Sequence, residues 1–160
     1  MTSQRLSMHA LSVFVFLFVA CVRSMPSNSH VDANSMAADV PEWTIESMTR
    51  NCTVSDAVCH WWFRVNTNDG TPPTNCSYDV PSRDGAPASE SPETGVSCGT
   101  FTVTSGWSGY FGPGNGFTTL SVINSTAPHL IAWPAYTDKQ LADGAVVQPD
   151  QSYPVQTLPY

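Results

Sequence analysis

Lysine is almost absent from this 160-residue chain, where Lys139 is the single example, and charged residues make up only 12% of the sequence. Soluble domains average roughly 25%. The 6 basic residues face 13 acidic ones, which gives a net charge of -7. A surface with so few cations has no basic stripe to neutralise phosphates. The composition therefore excludes nucleic acid as a partner and disfavours binding to anionic membranes.

The chain also lacks an apolar run long enough to cross a bilayer. Its apolar stretch at residues 11–22 (LSVFVFLFVACV) is 12 residues long, whereas a spanning helix needs about 20. Arg5 precedes this stretch and small residues follow it, which is the layout of a secretory signal. We predict a signal peptide over residues 1–24, no membrane insertion, and a secreted, extracellular protein. Lipid attachment at Cys21, as in bacterial lipoproteins, is the alternative interpretation.

Cysteines are few, but their number becomes even once Cys21 leaves with the signal peptide. Cys52, Cys59, Cys76 and Cys98 then remain in an oxidising compartment, which predicts two disulfides. Four cysteines allow three connectivities. We favour Cys52 with Cys59 and Cys76 with Cys98, because sequential pairing closes short loops around neighbouring strands. Zinc binding is the competing interpretation, but the spacing offers no ligand pair, so we expect no metal and no cofactor.

Residues 25–41 have no helical or strand period, and we predict a disordered leader there. Alternation begins at Trp43 and marks seven candidate strands, separated by glycine, proline and asparagine: residues 43–46, 60–65, 76–80, 100–105, 120–122, 130–133 and 146–155. The only helical candidate is residues 137–142, with Thr137 as a possible N-cap. Short strands without helices between them predict an all-β fold. We expect one domain over residues 42–160, a small antiparallel β-barrel or sandwich stapled by two disulfides.

A search for chemistry finds no catalytic pattern. Glu90 and Glu93 fall in a segment rich in proline and serine (residues 82–95) that is typical of a solvated loop. His60 and His129 alternate into strands beside tryptophan, which favours hydrogen-bonded structural histidines. A Gly-x-Ser-x-Gly turn is missing, and the Asn-Asp-Gly stretch ending at Gly70 fails as a calcium loop and is better explained as a hairpin turn. We expect no catalytic residues; a hydrolase is the third-ranked hypothesis.

Three triplets have the N-glycosylation pattern, at Asn51, Asn75 and Asn124. The first two have a cysteine in the middle, and early disulfide closure would compete with glycan transfer. We therefore favour Asn124.

The most unusual segment is residues 105–117, where five glycines alternate with four aromatic residues. Glycine allows positive φ, so large rings can be placed at closely spaced points. We take Trp107 and Tyr110, together with Trp62 and Trp133, as a candidate binding surface for a host surface protein or a cell-wall glycan. The alternative is that these rings simply close the end of a barrel.

The order of motifs resembles the small secreted proteins of filamentous ascomycete fungi, some of which are described as hypersensitive-response-inducing protein elicitors. The resemblance covers residues 43–159 and rests on these stretches: Trp43-Thr44-Ile45, Arg50-x-Cys52, Cys59, Cys76-x-Tyr78-x-Val80, Cys98-Gly99, Ser105 to Gly109, Phe111 to Leu120, Ile131 to Asp138 and Val147 to Tyr153. It implies a compact antiparallel β-barrel without known enzymatic activity, released around plant cells and provoking defence or cell death. The longer segment of residues 82–97 and Tyr110 depart from the family's pattern.

Two hypotheses follow for function. The first is a secreted, non-enzymatic effector that acts by surface recognition. The second is an extracellular carbohydrate-binding module that uses exposed aromatic side chains.

Overall fold

The structure is a computed structural model that describes residues 41–126 and 128–158. The predicted signal peptide and all but the last residue of the predicted leader lie outside the described residues. Within the described ranges, no helix has the length and apolar character needed to cross a membrane.

The regular secondary structure of the described residues is almost entirely β-strand, as the alternation predicts. Its strands are β1 (Glu42–Cys52), β2 (Val58–Asn66), β3 (Thr74–Pro81), β4 (Glu93–Cys98), β5 (Phe101–Ser108), β6 (Phe117–Asn124), β7 (Leu130–Ala132), β8 (Ala135–Thr137), β9 (Gln151–Pro154) and β10 (Gln156–Thr157). Two single-turn 3-10 helices cover Ala88–Glu90 and Ala142–Gly144.

The strands form two antiparallel sheets. The first has the order β3-β2-β1-β9, and the second has the order β10-β7-β6-β5-β4, with β8 also paired to β6. Between β2 and β3, the Asn-Asp-Gly segment makes the expected hairpin turn, with Gly70 at φ +88°. There Thr71 donates hydrogen bonds to Asp69 from its hydroxyl and its backbone nitrogen, and these bonds hold the pKa of Asp69 below its ordinary value.

The core lies between the two sheets because each strand buries alternate residues. In β2, Trp61, Phe63 and Val65 are buried, whereas His60, Trp62 and Arg64 lie on the outer face. The inner faces also supply the following buried residues: Trp43, Ile45, Tyr78 and Val80 from the first sheet, and Phe101, Val103, Leu120, Val122 and Tyr136 from the second. The rings of Trp43 and Phe101 meet edge to face across the sheets, with centroids 5.2 Å apart.

Of the two architectures that the sequence allowed, the structure has the sandwich. Within the described ranges, no hydrogen-bonded ladder joins β3 to β4 or β9 to β10, where the chain passes from one sheet to the other. The described residues therefore do not form a closed barrel. The Cys76–Cys98 disulfide links the two sheets at the β3 and β4 edges, and Cys52–Cys59 joins directly opposed residues of β1 and β2. This is the sequential pairing that the sequence favoured.

The prediction of a solvated loop over residues 82–95 is wrong in part. Ala88 and Ser91 are buried, and β4 begins at Glu93, whose side chain is 17% exposed and pairs with Arg83. Asp56, in the β1–β2 turn, accepts hydrogen bonds from the backbone and side chain of Ser89. This long-range contact draws the segment onto the sandwich, and local composition does not encode it. Glu90 is exposed, as expected.

Two predicted elements near the C-terminus also differ from the structure, namely the helix at residues 137–142 and the strand at residues 146–155. Thr137 ends β8 and its carbonyl accepts from Gln140 and Leu141 in a single turn, followed only by the 3-10 turn Ala142–Gly144. One turn is too short to propagate as a helix without further support. The strand is shorter than expected: β9 begins only at Gln151 and ends at Pro154, and the chain enters the other sheet at Gln156.

Candidate functional site

The glycine-rich segment forms the hairpin loop between β5 and β6. Gly112 donates a backbone hydrogen bond to Gly109 over 2.9 Å, and Asn115 donates one to Gly112 over 3.1 Å, so the loop consists of two successive tight turns. Gly112 and Gly114 have φ of +85° and +73°, which side chains other than glycine rarely adopt. The turns hold the residues between them in fixed positions.

Two large rings lie in water at the tip of this loop. Tyr110 is 86% exposed and Phe111 is 66% exposed. Their rings meet edge to face with centroids 5.5 Å apart, and Phe111 contacts Phe117 at 5.6 Å. The three rings form one continuous aromatic strip that runs from β6 to the loop tip. We call Tyr110, Phe111 and Phe117 the aromatic strip.

Trp107 has a different position from Tyr110, although both were predicted to form one exposed surface. It is half-buried under the loop, and its Nε1 donates a hydrogen bond to Asp138 Oδ2 over 3.0 Å. A Cβ at Gly109 would lie 2.6 Å from the Trp107 ring, and a Cβ at Gly116 would lie 2.8 Å from its Nε1. Two of the glycines are therefore needed for the close approach of the indole, in addition to those needed for positive φ.

Asp138 connects this indole to a buried arginine. Its Oδ1 accepts a hydrogen bond from Arg50 Nη1 over 3.1 Å, and the Arg50 side chain is only 6% exposed. The same Nη1 donates to the carbonyl of Ser89 over 3.0 Å, and the guanidinium lies 5.7 Å above the Trp61 ring. A buried charge needs such partners because desolvation is costly. The network fixes the base of the loop against β1.

A cleft of about 320 Å³ opens beside the loop. Its walls are mainly loop backbone and the Trp107 ring, and two carboxylates, of Glu90 and Asp138, line it. Arg50 partly neutralises Asp138, whereas Glu90 is exposed. The site thus combines an exposed aromatic strip with an acidic, glycine-lined cleft, an arrangement suited to binding.

The other two predicted binding residues lie elsewhere. Trp62 is half-buried on the outer face of β2 in the first sheet. Trp133 lies between β7 and β8 of the second sheet and is 51% exposed. The predicted surface is therefore distributed over three places, and the loop with Trp107 and Tyr110 combines a cleft with exposed rings.

Sequence reasoning missed four residues of this site: Phe111 and Phe117 in the strip, and Arg50 and Asp138 below it. The two phenylalanines lie within the segment that was singled out, so a signal was present. Arg50 and Asp138 are 88 residues apart, and no local pattern connects them.

The histidines make hydrogen bonds, as expected. His60 lies between Asp79 and Ser77, and His129 Nδ1 lies 3.4 Å from the carbonyl of Asn124. Cys52, Asp56 and Cys59 come close enough together to resemble a metal site. The two sulfur atoms are bonded to each other, however, and a disulfide cannot supply thiolate ligands.

The glycosylation triplets lie on the surface. Asn51 and Asn75 are exposed, and Asn124 is half-buried at the end of β6. The Oδ1 atom of Asn124 accepts hydrogen bonds from the Thr126 nitrogen at 2.9 Å and the Thr126 hydroxyl at 2.7 Å. Glycan attachment at these sites stays a prediction.

Comparison with known proteins identifies the family. The sequence profile of the Effector TSP1 family matches residues 44–158, which includes both sheets and the loop. A protein of Hypocrea virens (strain Gv29-8 / FGSC 10586) named Effector TSP1 is 48% identical over 125 residues, which cover 78% of this chain and 82% of that protein. This chain is a member of the Effector TSP1 family of fungal effectors.

Proposed function

We propose that this effector is secreted and acts by surface recognition through the aromatic strip and the adjacent cleft, that this recognition involves no catalytic step, and that its perception by a plant provokes defence or cell death. The observation that carries the proposal is the exposure of Tyr110 and Phe111, at 86% and 66%, on one loop that two tight turns and a hydrogen bond hold in place. Exposed aromatic pairs of this kind favour a binding role, because their burial against a partner is a main source of affinity.

The rigidity of the loop supports this interpretation. Its two tight turns and the hydrogen bond between Trp107 and Asp138 hold the rings before any partner arrives. Binding then costs little further conformational entropy, so more of the gain from burying the rings becomes affinity.

The ring geometry favours a protein partner over a glycan. Tyr110 and Phe111 are inclined at 81° to each other, so they do not form the single flat platform on which a sugar ring would stack. Two inclined rings are better matched to a pocket in a protein surface. The acidic cleft and the net charge of -7 favour a partner with basic residues at its rim.

Secretion is supported by the apolar run at residues 11–22 and by two disulfides, which are typical of proteins exported to oxidising compartments. Recovery of the mature protein from culture filtrate, with an N-terminus after residue 24, would test it. Retention of the intact chain inside cells would contradict it.

The test of recognition is infiltration of purified protein into leaves, with cell death scored against dose. We expect Tyr110→Ala combined with Phe111→Ala to require at least tenfold more protein than the wild type. Val54→Ala is the control, because Val54 is also an exposed large apolar residue but lies in the turn between β1 and β2. Equal activity of the double variant, or no response to the wild type, would contradict the proposal.

The carbohydrate-binding alternative needs a separate measurement. The protein is mixed with insoluble cell-wall polysaccharides, and retention of the wild type is compared with that of Tyr110→Ala and Trp133→Ala. We expect no retention of any of the three. Retention that Tyr110→Ala abolishes would support the glycan-binding hypothesis and contradict the preference for a protein partner.

A further inference from the structure

Three polar side chains meet on the outer face of the first sheet, away from the loop. His60 projects from β2, and Ser77 and Asp79 project from β3. In the antiparallel register His60 is opposite Asp79, and Trp62 is opposite Ser77. Side chains two residues apart on a strand share a face, so the two strands place serine, histidine and aspartate side by side.

The two nitrogens of the imidazole have different partners. His60 Nδ1 lies 2.7 Å from Asp79 Oδ1, and His60 Nε2 lies 3.2 Å from Ser77 Oγ. A carboxylate on one ring nitrogen sets the tautomer and orientation of the ring, which leaves the other nitrogen free to accept the proton of a hydroxyl. We propose that Ser77, His60 and Asp79 form a nucleophilic triad that hydrolyses carboxylic esters.

The contact with serine is what separates this arrangement from an ordinary surface ion pair. Histidine beside aspartate on a sheet is common and contributes little to stability. Here the Ser77 hydroxyl adds the nucleophile to the base and the positioning carboxylate, which are the three groups that covalent catalysis requires. All three residues lie on strands, which hold side chains more precisely than loops do. The side chains of His60 and Asp79 are 52% and 66% exposed, and Ser77 is exposed, so an ester reaches them without any opening of the structure.

The reaction balances with water as the only co-reactant. Ser77 Oγ attacks the ester carbonyl carbon as its proton passes to His60 Nε2, and collapse of the tetrahedral adduct breaks the carbon–oxygen bond to the alcohol, which takes that proton. Water then attacks acyl-Ser77 in the same way, giving the acid and restoring the serine hydroxyl. Asp79 keeps its charge and acts as a positioning residue.

Neighbouring side chains indicate the class of ester. Trp62, directly opposite Ser77 and half-buried, offers an apolar surface for an aryl group. Arg64 is the next residue on this face of β2, but its guanidinium is ion-paired with Glu46 over 2.8 Å, so its charge is already engaged when an oxyanion develops. The face is also open to water, which weakens electrostatic stabilisation of the oxyanion. We therefore expect slow turnover of aryl esters with good leaving groups.

This inference is independent of recognition by the aromatic strip, because it uses other residues on the other sheet. If the strip variants lose activity in leaves and Ser77 proves inert, the proposed function stands and the triad falls. If instead the strip variants keep full activity in leaves and Ser77→Ala loses esterase activity, the triad stands and the proposed function falls.

The test is hydrolysis of p-nitrophenyl acetate by the purified protein, with the acylated residue located by mass spectrometry. Every protein carries Asn75→Gln, so that replacing Ser77 does not also remove a glycosylation triplet. We expect Ser77→Ala and His60→Ala each to lower the rate at least tenfold, and acetyl to be trapped on Ser77. Ser97→Ala, at an exposed serine of β4, should keep the full rate. An unchanged rate in Ser77→Ala, or no acetyl on Ser77, would overturn the triad.

The role of Asp79 is tested by nitrogen-15 spectroscopy of the neutral imidazole. In the parent protein we expect His60 to carry its proton on Nδ1. Asp79→Ala should shift the proton toward Nε2 and lower the esterase rate severalfold while the circular dichroism spectrum stays unchanged. The same tautomer and rate in Asp79→Ala would exclude a positioning role.

Discussion

The indole nitrogen of Trp107 donates a hydrogen bond to Asp138 over 3.0 Å, and together with the backbone hydrogen bond from Asp138 to Gly116 it ties the glycine-rich loop to the end of β8. The other oxygen of Asp138 accepts from Arg50, so the carboxylate connects a half-buried ring of β5 to a buried cation of β1. Tyr110 and Phe111 of the aromatic strip lie on this loop. The position of the proposed recognition surface therefore depends on the hydrogen bonds that Asp138 makes beneath the loop.

Removal of the central carboxylate should destabilise the domain. Asp138→Ala leaves Arg50 with the Ser89 carbonyl as its remaining hydrogen-bond acceptor. We expect a loss of about 2 kcal/mol, less than the roughly 3–5 kcal/mol for a fully buried pair, because water screens an aspartate that is 33% exposed. Urea unfolding measures the loss. Glu42→Ala, at an exposed residue of β1, is the control and should change stability little; equal effects in both variants would refute the argument.

The glycines of the loop provide a matched pair of substitutions. A Cβ at Gly116 would lie 2.2 Å from Asp138 Oδ2 and 2.8 Å from Trp107 Nε1, whereas a Cβ at Gly106 meets nothing within 4 Å. Gly116→Ala must separate ring and carboxylate, at a cost of about 2 kcal/mol. We expect a lower melting temperature and an altered near-ultraviolet spectrum. Gly106→Ala should match the wild type, and the same behaviour in Gly116→Ala would count against the close packing of Trp107.

The two disulfides should differ in their contribution to stability. Cys52 and Cys59 are 7 positions apart in the sequence, whereas Cys76 and Cys98 are 22 positions apart. On the chain-entropy model these loops correspond to about 2.5 and about 3.4 kcal/mol. We expect paired alanine substitutions at Cys76 and Cys98 to lower the melting temperature more than those at Cys52 and Cys59, and reductant to unfold the wild type near physiological temperature. Unchanged melting in reductant would show that neither bond contributes substantially.

Alkaline pH should unfold the protein through its tyrosines. Burial raises the pKa values of Tyr78, Tyr136 and Tyr153. A raised folded-state pKa means that the unfolded chain loses protons first. Stability is therefore complete below the unfolded pKa of about 10 and declines above it. We expect a falling urea midpoint above that pH. If phenolate absorbance showed every tyrosine ionising in the folded protein near pH 10, the burial argument would fail.

Glycosylation can be tested with single variants expressed in a fungal host. The Asn124 triplet has no cysteine, whereas those at Asn51 and Asn75 have central cysteines engaged in disulfides. We expect intact-mass spectrometry to show loss of one glycan in Asn124→Gln and no change in Asn51→Gln or Asn75→Gln. A mass change confined to either of the latter two variants would reverse the assignment.

Some features of the fold could be predicted because they depend on neighbouring residues. In β2 the alternation from His60 to Val65 defines a buried and an outer face regardless of what packs against them. The short β4 and β8 escaped prediction, since β4 begins inside the segment rich in proline and serine and β8 has only three residues. β4 is stabilised by pairing with β5, which begins at Phe101 immediately after it, and β8 by pairing with β6, which is separated from it along the chain by β7.

By itself the sequence determined the all-β class, the two disulfides and the unusual loop, because period-two alternation, cysteine parity and clustered glycines are local properties. Only the tertiary structure decided that the sheets form a sandwich, that Trp107 is held under the loop while Tyr110 projects into water, and that Ser77, His60 and Asp79 meet. The contact between Arg50 and Asp138 spans 88 positions. Such contacts follow from strand order and register, which are set by the packing of the whole core and not by any one segment.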